Sequence, residues 1–156
     1  MKAASLNEIK KELNSIESQK LLEICLQLAR YKKDNKELLS YILFDAGDEA
    51  SFVNTIKNDL DEKFLDVQKY NLYLANKTIR KILKFTNKYI KYSGSKQSEI
   101  ELLIYFCFLI KRSGVKIQVS TSLTQLYDRQ LKKINLAMSK LHEDLQYDYK
   151  LELEKL

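Results

Sequence analysis

Six cations and no acid lie between residues 76 and 92, in the stretch NKTIRKILKFTNKYIKY. On an α-helix, at 100° per residue, they fall within an arc of about 100° and form a row about 20 Å long. Tyr73 lies on the same side. We call these seven residues the basic stripe: Tyr73, Lys77, Arg80, Lys81, Lys84, Lys88 and Lys91. Such a row can neutralise phosphates, and an aromatic ring beside it can stack on an unpaired base.

The net charge of the protein is concentrated in this region. Eight of the 27 cations, and none of the 21 acids, lie between Val67 and Ser98. The remaining 19 cations are slightly fewer than the acids, so this segment accounts for the whole formal charge of +6. The pattern therefore indicates an anionic partner, which includes nucleic acid.

A second interpretation of the basic stripe is structural. The preceding segment, residues 48–66, carries six acids and two lysines. Two consecutive helices of opposite charge favour an antiparallel hairpin, whose outer cations are then solvated or paired within the chain. The stripe also contains a single arginine, whereas specific phosphate recognition favours arginine. The sequence leaves both interpretations open.

No arrangement typical of a catalytic or metal site appears in the sequence. His142 is the only histidine, and its acidic neighbours Glu143 and Asp144 do not share its helix face, so we expect an exposed histidine. The HExxH, CxxC and glycine-rich phosphate-binding motifs are missing. We therefore predict no enzyme, no metal and no cofactor.

The elements that carry these residues are predicted to be helices. The chain has no proline and three glycines, Gly47, Gly94 and Gly114, which we expect to follow helix ends. Capping boxes beginning at Ser5, Asp34, Ser98 and Ser122 mark helix starts. Apolar residues recur at steps of three and four between these marks. Seven helices are predicted, at about 5–16, 18–32, 34–45, 48–68, 70–93, 98–113 and 121–148. The apolar helix 98–113 is expected to lie at the centre.

The segment VKIQV, residues 115–119, alternates as a β-strand does. We favour an extended connector that places Val115, Ile117 and Val119 under the helices, because an isolated strand has no ladder partner. The alternative is an edge that pairs with a second copy of the chain.

Two blocks resemble a bacterial family of helical proteins of unknown function. The first begins SLNEIKKELNSIESQKLLEICLQLARYKKDNKELLSYIL, and the second is ELLIYFCFLIKRSGVKIQVSTSLTQLYDRQLKKINLAMSKL. Where that family has an acidic stretch after the glycine, this chain has VKIQVSTS. The resemblance implies an all-helical fold and brings no activity, cofactor or site residue with it.

The sequence as a whole predicts a single all-α domain over residues 1–156, built of stacked helical hairpins in an α-solenoid-like array. The predicted function is a protein-interaction or structural module, including one that associates with itself. The alternative is a nucleic-acid-binding protein that uses the basic face of helix 70–93. No apolar run is long enough to insert into a membrane. The amino terminus lacks the apolar region of a signal peptide, and Cys25 and Cys107 lie in apolar runs, so we expect a cytoplasmic protein with free thiols.

Overall fold

The computed structural model describes residues 2–156. Within them the chain is all α-helical and contains no β-strand, as predicted. The helices are α1 Leu6–Ser15, α2 Ser18–Tyr31, α3 Lys33–Ser40, α4 Glu49–Phe64, α5 Leu72–Ser93, α6 Lys96–Arg112, α7 Thr121–Met138 and α8 Glu143–Leu153. A π-helical turn, Tyr41–Asp45, follows α3. None of these helices is both long enough and apolar enough to cross a membrane.

The chain divides into two compact units, of which the first ends at Phe44 and the second comprises Asp45–Leu156. In the first unit, α2 packs against α3, and the side-chain amide of Asn35 donates to the carbonyl oxygen of Leu28 at 2.8 Å. Tyr41 is the only buried side chain among residues 2–44. The prediction of a single domain over 1–156, and that of a solenoid-like array, stay predictions.

Helix α6 is the centre of the second unit, as its apolar sequence predicted. It contacts α4, α5, α7 and α8. Because it has neighbours on several sides, it buries residues around most of its circumference. These are Ser98, Ile100, Leu102, Leu103, Ile104, Phe106, Cys107, Leu109 and Ile110.

Helices α4 and α5 form the predicted antiparallel hairpin. The carboxylate of Glu49, at the start of α4, accepts a hydrogen bond from the hydroxyl of Ser93, at the end of α5. The same oxygen accepts a bond of 2.5 Å from Ser98 Oγ on α6. Two hydroxyls therefore donate to one carboxylate oxygen where three helices meet. Farther along, the rings of Phe52 and Tyr89 meet edge to face at 6.1 Å between centroids.

The helix starts differ from the predicted capping boxes at three of four positions. The Ser5–Glu8 box is present. Asp34 lies inside the first turn of α3, which begins at Lys33 without a side-chain cap. Ser98 and Ser122 likewise lie inside helices, because Ser95 and Ser120 upstream accept the capping bonds. The earlier start extends each helix and frees the later serine to bond another element.

The predicted helix 121–148 is wrong as a single helix. It ends at Met138, and α8 begins after His142, which is exposed, as predicted, and accepts a weak bond of 3.5 Å from the Asp144 amide at Nδ1. Leu141 and Leu145 keep the apolar period across the break, which is why periodicity alone did not reveal it.

The connector at 115–119 also differs from the prediction. Ile117–Val119 form a 3₁₀ turn instead of an extended segment. Val115 and Ile117 are buried, but Val119 is exposed because the turn rotates it away from the core. Of the glycines, Gly94 and Gly114 adopt the left-handed conformation after α5 and α6, with φ of 66° and 72°. Gly47 lies in a turn without positive φ.

Candidate interaction surfaces

The basic stripe lies on the side of α5 that faces away from the core. Asn71 caps the helix by accepting from the Leu74 amide at 3.1 Å, and the opposite face buries Ala75, Ile79, Ile82 and Thr86. The exposed cations of the stripe are Lys77, Arg80, Lys81, Lys84 and Lys91, whereas Lys88 is half-buried. The structure thus places the predicted cations along one helix.

The guanidinium of Arg80 in the stripe is held by hydrogen bonds within the chain. Its Nε donates to Asn76 Oδ1 and its Nη2 to Ser122 Oγ, both at 2.7 Å. Asn76 Nδ2 also donates to Ser122 Oγ, at 3.0 Å. The arginine therefore ties α5 to the first turn of α7. The predicted cap residue Ser122 serves as the acceptor of this bridge.

The flank of α5 that faces α4 forms a groove of about 250 Å³. Its lining combines Lys81 and Thr78 of α5 with Lys63 and Asp66. Lys63 Nζ lies 4.4 Å from the centre of the Phe85 ring, which holds that cation against α5. On this side the stripe is bordered by one acid and one further cation, which together add no net charge, so both interpretations of the stripe stay predictions.

Two exposed tyrosines lie at the start of α5. Tyr70 is 91% exposed and Tyr73 is 76% exposed. Lys69 Nζ lies 4.8 Å from the centre of the Tyr70 ring. Sequence reasoning included Tyr73 in the stripe but missed Tyr70. The signal was the spacing of the two tyrosines in KYNLY, a segment without acids.

The first unit carries a surface of a different kind, which sequence reasoning missed. Eleven large apolar side chains of this unit are exposed. They are Leu6, Ile9, Leu21, Leu22, Leu26, Leu28, Tyr31, Leu38, Ile42, Leu43 and Phe44. Apolar side chains that are exposed singly are common on proteins, whereas contiguous apolar patches mark interaction surfaces.

Two grooves flank the line where α2 meets α3, and Ala29 and Leu39 line both. The smaller, of about 280 Å³, also has Cys25 in its lining and is almost wholly apolar. The larger is about 610 Å³ and is called here the basic-rimmed groove. Its apolar lining residues are Leu26, Ala29, Leu39, Leu43 and Phe44, and its cations are Arg30, Lys33 and Lys36.

The rim of this larger groove is positively charged. Its lining residues include three cations and no acid. Lys33 Nζ lies 3.6 Å from Glu37 Oε1, one turn farther along α3, but the lysine side chain is 87% exposed and the pair is therefore weak. The groove thus combines an apolar floor with a cationic edge.

Several ionisable side chains of the second unit form hydrogen-bonded pairs. Tyr105 donates to Asp61 at 2.6 Å, and Arg112 donates to the other oxygen of the same carboxylate at 3.0 Å. Burial, together with the Asp61 carboxylate, raises the pKa of Tyr105 to about 12. Residues 2–156 contain no group of three or more side chains able to hold a metal ion.

Comparison of the chain with known protein families, with curated proteins and with solved structures finds no match.

Proposed function

We propose that the chain is a non-enzymatic protein-interaction module whose first unit binds an amphipathic helix in the basic-rimmed groove. The observation that carries the proposal is the apolar floor, with Leu43 62% and Phe44 80% exposed beside α2 and α3. Full burial of a leucine or phenylalanine side chain is worth about 1.5–3 kcal/mol. A partner that covers this floor therefore gains a large driving force.

The lining of the groove defines the chemistry of the partner. An amphipathic helix presents apolar anchors at i, i+3, i+4 and i+7, which suits a groove lined by α2, α3 and the turn that follows α3. The cations Arg30, Lys33 and Lys36 favour acidic residues beside those anchors. The proposed partner is thus an acidic helix with apolar anchors, and the charges contribute specificity and association rate more than affinity.

A designed helical peptide about 16 residues long, with leucines at these anchor positions and glutamates between them, tests the proposal. We expect saturable binding by fluorescence anisotropy. Leu43→Asp is expected to weaken it at least tenfold, because a loss of about 1.4 kcal/mol is tenfold and the substitution places a charge in the apolar floor. Lys33→Glu with Lys36→Glu should weaken it as well.

Leu136→Asp is the matched control, since Leu136 is 64% exposed on α7 in the second unit. It should leave the binding of the peptide unchanged. Circular dichroism of every variant shows whether a loss of binding comes from the changed surface or from unfolding of the protein. Equal binding by the Leu43 and Leu136 variants would contradict the proposed site.

A second candidate function is nucleic-acid binding by the basic stripe. The observation that favours it is the row of exposed lysines Lys77, Lys81, Lys84 and Lys91, which continues toward the exposed rings of Tyr70 and Tyr73. Lysines supply charge to phosphates, and tyrosine rings stack on unpaired bases. The proposed ligand class for this surface is single-stranded nucleic acid.

The expected result for this candidate is salt-sensitive binding of labelled single-stranded and duplex oligonucleotides. We expect about four to six phosphate contacts. In a plot of the logarithm of the binding constant against the logarithm of the salt concentration, each contact adds about −0.7 to the slope for single strands and about −0.9 for duplex. Lys77→Glu, Lys81→Glu and Lys84→Glu combined should abolish most binding and flatten this slope. Tyr70→Ala with Tyr73→Ala should weaken single-strand binding more than duplex binding.

The control triple Lys132→Glu, Lys133→Glu and Lys140→Glu changes the net charge by the same amount at other exposed positions. Equal losses in both triples would show that only the total charge matters. If no binding is detected even at about 50 mM salt, this candidate function is wrong and the stripe is only the solvated side of α5.

We also place the module in the cytoplasm. Cys25 and Cys107 are both free, and Cys107 is fully buried in α6. Unpaired cysteines of this kind are typical of proteins from reducing compartments.

A further inference from the structure

The outward face of α8 is an acidic, amphipathic surface. Asp144, Tyr147, Asp148 and Leu151 follow the spacing i, i+3, i+4 and i+7, which puts all four on one side of a helix. Tyr147 is 65% exposed and Leu151 is 42% exposed. The apolar residues are at i+3 and i+7 and the acids at i and i+4, so this face offers two of the apolar anchors, together with the acidic charge, that the basic-rimmed groove was argued to accept.

The opposite face of α8 holds the helix on the second unit. Tyr149 is buried there, and its hydroxyl donates to Glu101 Oε1 on α6 at 3.2 Å. The outward residues therefore remain available without unfolding α8. The inner contact also keeps the helix formed, which lowers the entropy cost of docking its other face.

We propose that the basic-rimmed groove of one copy of the chain binds the outward face of α8 of a second copy. This inference rests on the proposed function and names its partner. Tyr147 and Leu151 supply the apolar anchors, and Asp144 and Asp148 face the cationic rim. The ligand of the groove is thus another copy of the same chain.

Charge and length both support this pairing. Helix α8, Glu143–Leu153, contains four acids and one lysine, whereas the groove lining contains three cations and no acid. At 1.5 Å per residue, the 11 residues of α8 span about 16 Å. Helix α3, Lys33–Ser40, spans about 12 Å at the same rise, and Leu43 and Phe44 of the π-helical turn line the groove beyond its end.

The contact joins two different surfaces, so it is heterologous. Such contacts close into a dimer or ring when the rotation between copies allows it and otherwise extend into a chain. Each copy then uses one groove and one α8. The prediction is a molar mass that rises with concentration.

Sedimentation equilibrium between about 1 and 100 µM measures this association. Two variants are designed as a complementary pair. The groove variant carries Lys33→Glu and Lys36→Glu, and the helix variant carries Asp144→Lys and Asp148→Lys. Each alone places like charges in the contact, so each is expected to associate at least tenfold more weakly than wild type. Mixed together, the two variants restore opposite charges at both contacts and should associate again.

Tyr147→Ala tests the apolar anchor without changing charge, and it should also weaken association at least tenfold. A wild-type chain that stays monomeric at about 100 µM would overturn the inference. So would variants that associate as wild type does, or a mixture that shows no recovery. If the chain stays monomeric while the designed peptide still binds the groove, only the identity of the partner is wrong. If the peptide also fails to bind, the proposed function falls as well.

Discussion

Replacing Phe106 with alanine is expected to lower the free energy of unfolding of the second unit by about 3–5 kcal/mol. Phe106 is fully buried in α6, and its ring meets that of Phe64 on α4 edge to face at 5.8 Å between centroids. The truncation removes the transfer free energy of the ring and leaves a cavity between helices that are held apart by other residues. Since a domain of this size is stable by about 5–15 kcal/mol, the loss is a large fraction of the total.

The matched control is Phe108→Ala, two residues farther along the same helix. Phe108 is 42% exposed and stacks on Tyr105 at 5.9 Å. Its removal is expected to cost about 1 kcal/mol or less, because water already covers much of the ring. Urea unfolding followed by circular dichroism measures both variants. Similar losses for the two would contradict the central position of α6.

Much of the fold was predictable because each helix repeats its apolar residues at helical spacing. The continuous apolar run of α6 predicted its central place, and the glycines after α5 and α6 marked their ends. The capping serines were misplaced for a physical reason. Where two serines lie within one turn of each other, as Ser95 and Ser98 do, either can accept the capping bond, but only Ser98 has the glutamate three residues later that completes a capping box. The choice depends on the tertiary bond that Ser98 makes with Glu49 on α4.

The candidate surfaces were predictable only in part. Helical periodicity placed Lys77, Lys81 and Lys84 on one face, and they lie there exposed. The same reasoning does not show that Arg80 is held by Asn76 and Ser122, because that bridge joins residues more than 40 positions apart. A one-dimensional pattern records which residues share a face but not what covers that face.

The groove of the first unit was missed for the same reason. The sequence places Cys25 of α2 in an apolar run, but apolar periodicity by itself does not show whether a face is buried. Leu22 and Leu26 are nevertheless exposed. Apolar periodicity is identical for a face covered by the chain and for one that another molecule covers. The distinction requires the exposed surface, which here joins α2, α3 and the π-helical turn in one groove.

Alkaline pH is expected to unfold the second unit, because several of its neutral groups resist ionisation. Burial raises the pKa of Cys107 from 9.0 to about 12. Burial also raises the pKa of Tyr127 to about 12, with a contribution from Cys107, and that of Tyr149 to about 12, with a contribution from Glu101. The unfolded chain therefore loses protons at a lower pH than the folded one. The contribution of these groups to the free energy of unfolding is fully present below about pH 9 and is lost as the pH rises toward 12.

For the fully buried thiol of Cys107, the loss is about 1.4 kcal/mol per pH unit between about pH 9 and 12. The tyrosines contribute above about pH 10, and by less than their full shift where water reaches the ring. Cys107→Ala is expected to be less stable at pH 7, because it leaves a small cavity, but to lose less stability between pH 9 and 10. Tyr149→Phe should instead reduce the pH dependence only above about pH 10.

Urea unfolding at intervals from pH 7 to about 11 gives the free energy of unfolding and its slope against pH for each variant. The slope is the decisive quantity, because a packing defect lowers stability equally at every pH whereas a titrating group changes its pH dependence. If Cys107→Ala keeps the wild-type slope, the thiol does not contribute. The free energy of unfolding would then begin to fall only above about pH 10, where the tyrosines ionise. In that case the alkaline transition would be caused by the tyrosines and not by Cys107.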